Sequence, residues 1–103
     1  MLLSIRERFA LLAILPREGS FSTLKIVREL REDLSPDEEE HKALQFVQEG
    51  ETLRWNSEKD VGREFEFGLK ATEIIVDALK ALDREKVLKI EHLSLYEKFV
   101  GDK

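Results

Sequence analysis

Between Phe46 and Phe67 the apolar residues of this chain stop recurring at helical spacing and begin to alternate, a change of period that limits the fold to a mixed architecture. Phe46-Val47-Gln48 and Thr52-Leu53-Arg54-Trp55 flank Glu49-Gly50-Glu51, which reads as a β-hairpin with glycine in its turn. Asn56 to Asp60 is polar and reads as a loop. Arg63-Glu64-Phe65-Glu66-Phe67 then alternates charged with aromatic side chains, as a strand with one wet face does. It is either the third strand of a small antiparallel sheet or an extended lead-in to the next element.

On both sides of this stretch the period is helical. Ile5, Phe9, Leu12 and Ala13 predict a first helix over residues 4–15, and Leu11, Ile14 and Leu15 widen its apolar stripe beyond one face. Pro16 ends it, because the residue before a proline is pushed out of helical geometry. Ser20 or Ser22 caps a second helix running to Leu34, with Phe21 placed to pack back as a hydrophobic staple. Ser35-Pro36-Asp37-Glu38-Glu39 is the clearest local signal: serine as cap, proline at the first helical position, and acids at the positive end of the helix dipole. The short helix that follows runs to Leu44. A fourth helix spans 69–82, with Ala71, Ile74, Ile75, Ala78, Leu79 and Leu82 on a broad stripe, and a fifth spans 90–100. The expectation is a mostly helical α+β single domain, residues 1–103, with about five helices and a β-hairpin or a small three-stranded sheet.

Charge narrows the function classes. The net charge is -5, and charged residues make up 38% of the chain. Residues 35–62 alone carry eight acids against three bases, so the middle third sets the sign of the molecule and would repel phosphate backbones. There is no cysteine, which excludes disulfides and thiolate metal sites and fits a cytoplasmic setting. Arg6, Glu7 and Arg8 interrupt the apolar start before a signal sequence develops, and no stretch is long enough to span a bilayer.

No residue set spells out catalysis. Glu38 and His41 stand three apart on one helical face, but di-iron sites need two such pairs with further glutamates, and His92 has no acid at that spacing. The serines lie in no nucleophile elbow, and Gly62 and Gly68 match neither phosphate-binding spacing. The chain therefore reads as a non-enzyme without metal or cofactor. The candidates for partner contact are the acids Asp37, Glu38, Glu39 and Glu40, together with Trp55 and Tyr96, the sole members of their kinds. His92 and Tyr96, four apart, are placed to pack together.

The order helix, helix, helix, hairpin over residues 4–55 resembles a winged helix, whose third helix reads the major groove. Here that helix is acidic, so the resemblance implies protein binding before DNA binding. A nucleic-acid regulator would have to use Lys25, Arg28 and Arg31 of the second helix instead. The run from Leu15 to Phe21, that from Leu24 to Arg31, and the tail Glu91 to Phe99 are similar in style to small uncharacterised proteins of tailed phages and prophages. That resemblance implies a bacterial setting and assigns no functional residue. The reading is a small acidic protein-interaction module, of the kind a phage or mobile element uses against a host or viral protein. The alternatives are the winged-helix regulator and a structural homo-oligomer joined through surplus apolar surface on the first and fourth helices.

Overall fold

A computed structural model describes residues 1–101. In chain order the elements are β1 (Leu2–Leu3), α1 (Ile5–Ile14), α2 (Phe21–Leu34), α3 (Glu38–Leu44), β2 (Val47–Glu49), β3 (Thr52–Arg54), β4 (Arg63–Glu64), α4 (Leu69–Arg84) and α5 (Leu93–Phe99). Single 3-10 turns occupy Ser57–Lys59 and Ile90–His92. The fold is the expected α+β type, five helices with two small antiparallel sheets.

The helix ends follow from local chemistry. Ser4 caps α1 in a capping box: its hydroxyl accepts the Glu7 N–H at 3.2 Å, and its own N–H donates to Glu7 Oε1 at 3.0 Å. Pro16 leaves Leu15 extended at ψ 139°, which stops the helix there. Ser20 caps α2, so Phe21 is the first helical residue; it is 74% exposed and forms no staple. The cap of α3 lies two residues later than the sequence signal suggested. Asp37 accepts the Glu40 N–H at 2.8 Å and Glu40 returns a carboxylate to the Asp37 N–H at 3.1 Å. Ser35 instead closes α2, with its N–H and hydroxyl both donating to the Arg31 carbonyl. Aspartate caps as well as serine does, and only Asp37 has a glutamate three residues on whose side chain is held in place from elsewhere in the fold.

The strands decide between the two sheet arrangements left open by the sequence: the hairpin stands without a third strand among the described residues. β2 and β3 form a hairpin with the register Val47↔Arg54, Gln48↔Leu53 and Glu49↔Thr52, turning through Gly50 (φ +62°) and Glu51. β4 joins a different sheet, pairing with β1 as Leu2↔Glu64 and Leu3↔Arg63. The pairing stops after Glu64 because Phe65 turns into the core, while its N–H still reaches the Met1 carbonyl at 2.8 Å. The last helix is likewise interrupted: His92 is buried and its Nδ1 accepts the Lys89 N–H at 3.0 Å, holding a 3-10 turn ahead of α5.

The core gathers Leu3, Leu11, Leu15, Leu30, Leu34, Ile75, Leu79 and Leu95, with α1 in contact with α2, α4 and α5. Buried among these apolar groups is Arg8, its side chain 1% exposed.

Candidate functional site

The hairpin grows from an aromatic base. Gln45 takes a left-handed turn (φ 52°) at the end of α3 and aims the chain outward. Phe46 and Trp55 then flank the strands, and both pack on Phe9 of α1 with ring centres 5.9 and 5.5 Å away. His41 adds an edge-on contact to Phe46 at 5.0 Å, and the Asn56 N–H donates to the Leu44 carbonyl at 2.7 Å to close the base. Beyond this base the hairpin projects into solvent, with Leu53 and Arg54 bordering a shallow cleft beside Arg6. All residues from Val47 to Arg54 are exposed, and neither strand has a second neighbour among the described residues, so both backbone edges are open there. Alternation places Val47, Glu49, Thr52 and Arg54 on one face, and Gln48 and Leu53 on the other.

The four acids of α3 divide into two kinds. Glu40 is drawn inward: it accepts from both terminal nitrogens of Arg8 and from Arg63 Nη1 at 3.0 Å. The hydrogen bonds from Arg8 hold its carboxyl below the ordinary glutamate range; partial burial opposes them, and the Asp37 N–H and the charges of Arg8 and Arg63 add to the lowering. Asp37 caps the helix and lies 3.6 Å from Arg63. Glu38 and Glu39 are exposed and have no cationic partner among the described residues. At the hairpin tip Glu51 is in the same state, while Glu49 meets Arg54 at 3.7 Å across open solvent.

The other sequence candidates are dispersed. Trp55 is half-buried as an anchor of the hairpin, with the Arg6 guanidinium 6.0 Å from its ring centre. Tyr96 lies apart from it and donates its hydroxyl to Asp83 at 3.3 Å, so it turns to α4 and not to His92. Partial desolvation, with the charge of Asp83 and the hydrogen bond to it, raises the Tyr96 hydroxyl above the ordinary phenol range. Lys25 and Arg28 are exposed on the outer face of α2, whereas Arg31 is partly buried at its flank.

The residue that sequence reasoning missed is Arg8. Its Nε donates to the Leu34 carbonyl at 2.9 Å and an Nη to the Ser35 carbonyl at 3.2 Å, so it binds the end of α2 and the start of α3 to α1. The signal was available: Arg8 sits three residues after Ile5 and three before Leu11, on the stripe that the helix buries. The guanidinium groups of Arg8 and Arg63 also lie 5.2 and 4.6 Å from the Phe65 ring centre.

Among the described residues no helix is long and apolar enough to cross a membrane, and no group of three or more histidines and carboxylates is placed to hold a metal ion. What the hairpin offers is recognition chemistry: open backbone donors and acceptors, two exposed apolar side chains and an excess of acid. In comparison with known proteins, the chain matches no family model, no curated protein and no solved structure.

Proposed function

We propose that the protein is an interaction module that captures a basic, extended segment of a protein partner along its β2–β3 hairpin. The observation that carries this reading is the exposure of every residue from Val47 to Arg54 on an aromatic base. An exposed two-stranded edge adds a third strand from a partner through main-chain hydrogen bonds, and side chains on alternate positions then select its sequence. Val47 on one face and Leu53 on the other each supply an apolar contact, and Glu38, Glu39, Glu49 and Glu51 favour lysine and arginine and speed their approach. The same acids disfavour nucleic acid on this face.

A short peptide alternating lysine with valine is the direct probe. Its titration against the labelled protein is expected to shift the backbone amides of residues 47–54, and the Val47→Ser, Leu53→Ser double variant to lose those shifts. Shifts scattered over the surface, or undiminished in the double variant, would refute the proposal.

A further inference from the structure

A second surface is independent of the hairpin. Ile14, Ile74, Ala78, Ala81 and Leu82 form a groove of about 600 Å³ between α1, α2 and α4. It is where the surplus apolar stripe of the first and fourth helices comes to the surface. Small side chains on its α4 wall admit a close approach, and the volume lies within the range of real binding clefts. Asp77 is the one charged group lining it, and no cation pairs with Asp77 among the described residues.

The chain itself displays what such a groove takes. The buried face of α2 is Val27, Leu30 and Leu34. Its exposed face carries Phe21, Lys25 and Arg28, with Leu24 at the border of the buried stripe, at the i, i+4, i+7 and i+3 positions of a helix that docks into a groove. Phe21 is 74% exposed, the most open aromatic residue among the described residues. Lys25 and Arg28 are exposed and unpaired among the described residues. An aromatic and an aliphatic group match the apolar walls, and a lysine one turn from the aromatic matches the lone carboxylate.

We infer that the groove receives the outer face of α2 from a second copy of the chain, with Phe21 between Ile14 and Ile74 and Lys25 against Asp77. The contact is local and complementary in charge, so it forms despite the net negative charge of each copy.

Charge reversal tests this in sedimentation-equilibrium runs over a wide range of protein concentration. The parent is expected to show an average mass that rises with concentration. Asp77→Lys and Lys25→Glu are each expected to weaken association about tenfold, the size of one lost charge contact, and the double variant to recover it. Both positions are exposed, so far-ultraviolet circular dichroism should show unchanged folds. A parent that stays strictly monomeric, or associates equally well with Phe21→Ser, overturns the inference. So does association that both single reversals leave intact, or that the double variant does not regain; an added amphipathic basic peptide that binds the groove while the parent stays monomeric assigns the groove to a foreign partner instead. None of these outcomes bears on the hairpin, whose peptide titration reads a different surface.

Discussion

The two sheets of this molecule are of similar size and do opposite things. β1–β4 joins residues some sixty positions apart through two residue pairs, whereas β2–β3 joins near neighbours through three. Around β1–β4 nearly every polar group is used. The Met1 ammonium meets Glu64 and the Phe65 carbonyl at 2.9 Å, and Asp60 accepts the Ile5 N–H with both oxygens at the start of α1. Lys98 of α5 donates to the Leu2 carbonyl at 2.7 Å and to Glu7 at 2.8 Å. Arg63 of β4 reaches Glu40 and the Asp33 carbonyl, linking the strand to the buried Arg8. Around β2–β3 the ties to the body are few, chiefly Phe46 and Trp55 on Phe9 and the Asn56 N–H on the Leu44 carbonyl. The difference teaches that a strand's weight in a fold lies in its cross-links and not in its length. A long-range pairing must offset its loop-closure entropy through such links, while a local hairpin carries little of that cost.

Removing the link beneath the first sheet is the largest perturbation. Arg8→Ala leaves Glu40 half-buried beside Arg63 alone and strips the Leu34 and Ser35 carbonyls of their donor. Loss of one member of a buried ion pair is worth roughly 3–5 kcal/mol, and urea unfolding should show a fall of that order.

Acid attacks the same links. Glu40 is lowered for the reasons given above. At Glu7 burial acts to raise the carboxyl, but hydrogen bonds from Lys98, the Ser4 N–H and Ser94, with the Lys98 charge, outweigh it and lower it overall. A depressed folded value means that the stabilisation is fully present above the unfolded value, 4.5 for both, and is lost as the pH falls through the folded values. Stability measured by urea midpoint is therefore expected to be level from neutral pH to about 5 and to drop below it, and in Glu40→Gln that drop should shrink from a lower starting stability.

The two turn glycines sharpen the contrast on a smaller scale. Gly62 has φ +79°, and a Cβ there would stand 3.0 Å from Leu2 Cγ. Gly62→Ala should cost about 2 kcal/mol, through left-handed strain and displacement of β1 together. Gly50 has φ +62° with nothing within 4 Å of a Cβ. Gly50→Ala meets only the backbone strain, about 1 kcal/mol, and that cost falls on the hairpin while the global urea midpoint hardly moves.

The helices and the hairpin were legible in the sequence because their signals are local: the Pro16 stop, the Ser20 cap, and Gly50 between two alternating runs. β1 was not legible, since Leu2-Leu3 is too short to show a period and finds its partner only through the fold. Arg63–Phe67 showed a strand's alternation, but alternation does not name a partner; the sequence left open a third hairpin strand or an extended lead-in, and Arg63–Glu64 pairs with β1 instead. The acids of α3 were visible as a group. Their division was not, because it depends on Arg8 and Arg63 arriving beside Glu40 from distant positions.

Native-state hydrogen exchange reads the two sheets in one experiment, and so tests the central claim that β1–β4 serves the fold and β2–β3 serves a partner. Amides of β1 and β4, with that of Phe65, should exchange only through global unfolding, while those of β2–β3 should exchange through local opening at a much lower free energy. Adding the lysine–valine peptide should slow the hairpin amides and leave the others unchanged. Hairpin amides that already exchange at the global free energy, or that the peptide does not protect, would contradict the account.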